Sequence, residues 1–194
     1  WLGIWSSPVQ FSSPELVRVA DRARRLQEIY GMPLAHENAA YYMPTPGAMM
    51  REAEFMARLV DRAGTWLHLD LHNVYTNSVN LAGYDAEDYL ATIPLDRVVC
   101  IHLAGGSWYD GLYHDWHDST VPEPVWAMLD QVLSRALPSA VILEFQGRAH
   151  HPQTRELGGA EDEAMIAADL ARAKAAWDAA ARRHGVVPPV REIA

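Results

Sequence analysis

The chain has 194 residues, 49% of them apolar, and a formal net charge of −9 from 25 acidic and 16 basic side chains. That length suits one domain with a real core, the acidic balance argues against nucleic acid or an anionic membrane as partner, and no apolar run approaches the ~20 residues that span a bilayer. The reading is a cytoplasmic protein.

The chain starts at Trp1 and not at methionine, which reads as a processed, trimmed or partial polypeptide. Ser13-Pro14-Glu15 signals a first helix, a cap residue followed by proline, that closes at Gly31. Leu16, Val17, Val19, Ala20, Leu26 and Ile29 recur along it at roughly helical spacing. PLAHEN follows as a strand, then a polar loop through Pro44 to Gly47. A second helix is expected from about Ala48 to Ala63 with Gly64 as its stop, and WLHLDLHN as the next strand. Asp85 caps a short helix through Leu90, Pro94-Leu95-Asp96 leads into the strand RVVCIHLAGG, and Pro122 to Leu137 reads as helix. VILEF is the last strand and Ala160 to Arg183 the last and longest helix. Strands alternating with helices imply a parallel sheet with right-handed crossovers, within a single domain over residues 1–194.

Carboxylates and imidazoles recur where these strands end: Glu37 in PLAHEN, Asp70 and His72 in WLHLDLHN, His102 in VVCIHLAGG and Glu144 in VILEFQ, with Asp115 and His117 in the connecting segment HDWHD. Strand side chains alternate between faces. Trp66, His68, Asp70 and His72 therefore share one face, as do Val98, Cys100 and His102, and Ile142, Glu144 and Gln146. Their neighbours Leu67, Leu69, Leu71, Val99, Ile101, Leu103, Val141, Leu143 and Phe145 form apolar backs. In parallel α/β folds the active site lies at the C-terminal strand ends and draws on several strands. Several ionisable groups brought together there without a metal would cost several kcal/mol each unless paired, so the pattern reads as a metal site. The lone cysteine, Cys100, cannot form an internal disulfide, and its apolar strand points to a buried thiol.

HEN, LDLHNVYTNSVN, IHLAGG, DWHD, VPEPVW and LEFQ, in this order and over about Leu16 to Trp177, resemble the multinuclear non-heme iron-dependent oxidases, the family of the methanobactin-biosynthesis enzyme MbnB. The resemblance implies a xylose-isomerase-type TIM barrel of which this chain matches the C-terminal half, about four βα units. It implies a metal-ligand set of Glu37, Asp70, His72, His102, Asp115, His117 and Glu144, with Asp70, His102 and Asp115 central to catalysis and Asn38 and Asn73 orienting ligands. Oxygen and imidazole donors without thiolate suit iron or manganese better than a structural zinc. Two or three iron ions and dioxygen are the implied cofactor and co-substrate, a cysteine in a ribosomally made precursor peptide the implied substrate, and a separate peptide-recognition protein a possible partner. The chain departs from the family where many members have asparagine at His72, histidine at Gly106 and aspartate at Gln146, and His68 has no counterpart.

Two other readings stay open: a divalent-metal sugar isomerase or epimerase on the same barrel, and a non-catalytic half-barrel that binds metal. His68 alone reads as a hydrogen-bonded core histidine, and His150, His151 and His184 read as solvated. His114 is undecided. Trp108, Tyr109 and Tyr113 suit either packing or a substrate groove. Gly105-Gly106 could approach a phosphate, on weak grounds.

Overall fold

The computed structural model describes residues 9–147 and 159–186; Trp1, His150 and His151 lie outside them. In chain order the elements are α1 (Ser13–Tyr30), β1 (Ala35–Glu37), α2 (Glu52–Ala63), β2 (Trp66–Asp70), α3 (Leu71–Asn80), α4 (Ala86–Thr92), β3 (Val98–Leu103), β4 (Ser107–Tyr109), β5 (Leu112–His114), α5 (Glu123–Arg135), β6 (Ala140–Leu143) and α6 (Ala160–Arg183). Four strands form one sheet in the order β1-β2-β3-β6, each pair parallel, and β4 and β5 form a separate antiparallel hairpin. The result is an α/β fold, part of a TIM-barrel-like arrangement. Among the described residues no helix is long and apolar enough to cross a membrane.

The sheet's two faces differ as alternation requires. Leu67, Leu69, Ile101 and Leu103 are buried in one apolar core with side chains of α1, α2, α3, α5 and α6, and Val141 and Leu143 pack against it. The opposite face is more open, with Trp66 and Ile142 exposed and His68 and Cys100 half-buried. One irregularity breaks the expected alternation. Leu67 pairs with Val98 but His68 pairs with Cys100, so β3 carries an extra residue at Val99. The bulge turns Val98 into the core instead of leaving it beside Cys100 and His102.

Three element boundaries correct the sequence reading. The residue capping α1 is Ser12, not Ser13, and its side chain makes no capping bond. α2 starts at Glu52 instead of Ala48, because the N–H groups of Ala48 and Met49 bond the carbonyls of Thr45 and Phe11 in a turn. The strand WLHLDLHN stops at Asp70, whose carboxylate accepts the backbone N–H of Asn73 at 2.7 Å and so caps α3. Helix α3 then presents Asn77 and Asn80 to two neighbouring segments. Asn77 bonds the backbone of Tyr41 and Ala39, and Asn80 bonds both backbone groups of Tyr113. His72 consequently lies in the first turn of a helix and not on the strand face.

Beside α2, Glu52 is buried under the hydroxyls of Tyr84 and Tyr41, which donate to it at 2.9 and 3.5 Å. Burial raises its carboxyl from 4.5 to about 7, against the lowering effect of the two tyrosines.

Candidate metal centre

Every candidate ligand comes from the C-terminal end of a strand, from the loop that follows it or, for His72, from the first turn of the helix that follows β2. Glu37 ends β1, Asp70 ends β2, His102 lies near the end of β3 and Glu144 follows β6 directly. His72 opens α3, and Asp115 and His117 follow the β4–β5 hairpin. The structure brings all seven into one chain of contacts. His102 Nδ1 lies 3.0 Å from Glu37, 3.3 Å from Glu144 and 3.8 Å from Asp70. Glu144 also reaches His117 at 3.6 Å, His117 lies 2.8 Å from Asp115, and Asp115 lies 2.7 Å from His72. Two triads drawn from these seven residues have ligand atoms mutually within 4.8 Å: Glu37, Asp70 and His102, and His72, Asp115 and His117.

These groups are held by an inner frame of amides. Asn38 bonds the backbone of Asp70 twice, accepting its N–H at 2.9 Å and donating to its carbonyl at 2.8 Å, while Asn73 donates to the carbonyl of Asn38. The orienting role expected of Asn38 and Asn73 thus acts on the main chain of Asp70 and, through the Asn73 N–H, on its carboxylate. Gln146 donates its backbone N–H to the carbonyl of His117 and sets its side-chain amide 3.4 Å from His117 Nδ1. His117 has φ 53, a left-handed backbone uncommon outside glycine.

Two glycines bring the hairpin onto the strand ends. A Cβ on Gly105 would collide with the carbonyls of Thr120 and Ser119, and one on Gly106 with the carbonyl of His114. The Gly105-Gly106 pair is filled by the chain's own backbone, so the phosphate-approach reading is corrected.

Electrostatics reflect an excess of anions packed together. Burial, reinforced by the charges of Asp115 and Glu37, pushes the Asp70 carboxyl from 3.8 to about 8, against the pull of the Asn73 N–H. Glu37 is held below its ordinary value, chiefly by the hydrogen bond from His102. Burial alone would raise Asp115, but hydrogen bonds from His117 and His72 outweigh it and hold it well down. Burial would lower His102 and His117, yet their carboxylate partners raise both.

Sequence reasoning missed Tyr42, left Tyr113 between packing and a substrate groove, and misread Cys100 and His68. The Tyr113 hydroxyl accepts the Gly106 N–H at 2.9 Å and lies 3.4 Å from His72 Nε2, and the Tyr42 hydroxyl accepts the Asp115 N–H at 2.9 Å. No spacing flagged Tyr42, because its partner lies 73 residues away. Cys100 is half-buried rather than enclosed. His68 is not a hydrogen-bonded core histidine: its Nε2 is buried without a partner, and its ring meets that of His102 with centroids 3.7 Å apart. His114 stacks on Trp116 and reaches the Tyr109 carbonyl, and it belongs to neither triad. Tyr113 is buried, whereas Trp108 stands exposed on the hairpin. His184, read as solvated, is exposed, with its Nε2 3.1 Å from the Leu133 carbonyl.

Comparison with known proteins places the chain. The family model described as RiPP precursor modification enzyme MbnB/TglH/ChrH matches residues 7–168. Among curated proteins the chain is 37% identical over 138 residues to a UPF0276 protein of Nitrosospira multiformis, covering 71% of this chain and 48% of that one. It is 36% identical over 137 residues to one of Caulobacter vibrioides, covering 71% and 49%. With one of Rhizorhabdus wittichii it shares 36% identity over 166 residues, covering 86% and 57%. The chain thus spans about half the length of these curated relatives, and by the match over residues 7–168 it belongs to the MbnB/TglH/ChrH family of RiPP precursor modification enzymes.

Proposed function

We propose that this chain carries most of the metal-binding half of an iron- and dioxygen-dependent oxidase that modifies a cysteine of a ribosomally synthesised precursor peptide. The observation that carries this reading is the unbroken run of contacts through Glu37, Asp70, His102, Glu144, His117, Asp115 and His72. Its donors are carboxylate oxygens and imidazole nitrogens, the set that suits iron. Burial, reinforced by the neighbouring carboxylates, raises Asp70 to about 8, and a cation placed among these groups would favour its ionised form.

In this reading Glu37, Asp70 and His102 would hold one ion and His72, Asp115 and His117 another, with Glu144 placed beside both sets. The irons, when bound, supply Lewis acidity and electron transfer to dioxygen. The chain's own residues fix the donors and handle protons. Each imidazole N–H now donated to a carboxylate carries a proton that must leave before that nitrogen can ligate. Asn38 holds the Asp70 main chain, the Asn73 N–H holds its carboxylate, Tyr113 and Asp115 bracket the two nitrogens of His72, and Gln146 supports His117. These contacts limit how far the donors can turn from the site. The peptide cysteine and a peptide-recognition protein belong to the same proposal.

The deciding experiment is metal analysis of anaerobically purified protein with Mössbauer spectroscopy on iron-57 material, for this chain and for a version extended to the length of its relatives. Two or more coupled irons support the oxidase. A lone zinc or manganese rejects it in favour of an isomerase-type centre, and His102→Ala with unchanged iron content removes His102 from the ligand set.

A further inference from the structure

One residue row beneath the carboxylates lies a second group of donors, which the oxidase reading leaves unused. Across the β2–β3 pair, Asp70 faces His102 in the upper row and His68 faces Cys100 in the lower. His68, Cys100 and His102 each offer a ligand atom, and the three atoms lie within 4.8 Å of one another. Neither lower-row donor is committed elsewhere. Among the described residues His68 Nε2 is shielded from solvent with no hydrogen-bond partner, an arrangement that is costly inside a protein. The Cys100 thiol reaches only its neighbour's carbonyl, at 3.8 Å, a weak bond for sulfur.

The donor chemistry differs from that of the row above. One thiolate and two imidazoles form a softer set, suited to zinc or cobalt(II), whereas carboxylates suit harder ions. In a tetrahedral site with bonds of ~2.0–2.3 Å the donors stand about 3.5 Å apart. Closing from 4.8 Å therefore asks for roughly 1 Å of movement, within reach of side-chain rotation.

We propose that His68, Cys100 and His102 form a second cation site, selective for a borderline-soft divalent metal such as zinc or cobalt(II). Its link to the carboxylate centre is His102, which belongs to both donor sets. The proposal needs no iron and stands whether or not the oxidase reading holds.

Cys100 is the only cysteine in the chain, so any thiolate-to-cobalt charge-transfer band has one possible source. Cobalt(II) is titrated into the metal-free chain under anaerobic conditions. The expected result is a near-ultraviolet band that zinc abolishes, that Cys100→Ser removes, that Glu37→Gln leaves in place, and whose half-saturation rises about tenfold or more in His68→Ala. No band at saturating cobalt overturns the proposal, as does a band equally strong and equally tight in His68→Ala. Circular dichroism checks that each variant is folded. A measurement on the unaltered chain covers the case where one is not: zinc should slow maleimide alkylation of Cys100 about tenfold or more, as expected for a ligating thiolate, and an unchanged rate rejects the site.

Discussion

Asp115 lies 2.7 Å from Nδ1 of a wholly buried His72, joining two residues 43 positions apart in the chain. The bond ties the segment after the hairpin to the first turn of α3. Asp115→Ala leaves the imidazole nitrogen buried without that partner, so unfolding free energy in urea should fall by ~1–3 kcal/mol. Asp115→Asn, which keeps a side-chain acceptor, should lose less. Equal losses in the two variants would show that the contact does not set the stability of this junction.

Asp70 serves both α3 and the candidate centre, and substitution can separate the two roles. Serine also caps helices, while alanine costs ~0.5–2 kcal/mol at such a position. Asp70→Ser should therefore stay within ~1 kcal/mol of the parent in urea, with divalent-metal affinity reduced about tenfold or more. Asp70→Ala should lose both. Undiminished metal binding in Asp70→Ser, followed by calorimetric titration, would exclude Asp70 from the ligand set.

Gly106→Ala places a methyl group against the His114 carbonyl. Backbone must move to admit it, and overpacking of this kind costs ~1–3 kcal/mol. The hairpin moves with that carbonyl, so the variant should also bind metal more weakly although it changes no candidate ligand. A melting temperature and metal affinity equal to those of the parent would contradict the close packing at this glycine.

Glu52 offers a pH test away from the candidate ligands. Its carboxyl titrates at about 7 in the folded chain against an ordinary 4.5, so the folded state binds the proton more tightly. Stability from this group is greatest below about pH 4.5 and declines as the pH rises to about 7, by roughly 3 kcal/mol in all. Glu52→Gln should remove that decline, and its advantage over the parent should grow between pH 5 and 8. A constant difference across the range would mean that Glu52 titrates normally.

Most of this architecture is written in patterns of short range. The alternation in WLHLD and VVCIHL announces the strands, and the carboxylates and histidines at their ends announce where side chains converge. What the alternation could not show was that Asp70 would end its strand by capping a helix. LDLH fits period two as well as it fits a strand followed by a first helical turn. The contrary signal was Asn73, Asn77 and Asn80, spaced four and three apart as on one helix face. The bulge at Val99 and the contacts of Tyr42 and Tyr113 depend on tertiary pairing, which no local window contains. His68 read as core because a single imidazole in an apolar run gives no hint that Cys100 and His102 will stand beside it.

β2 passes into α3 with no residue between them, so the segment holding Asp70 and His72 has no hinge. Those two groups arrive at the candidate centre as a prearranged pair, one for each triad, and the entropy of placing them is spent when the protein folds. Asp115 and His117 sit instead on irregular chain, with His117 in a left-handed conformation. An arriving ion would find one jaw of the clamp already fixed, and the reorganisation on binding would fall to the other.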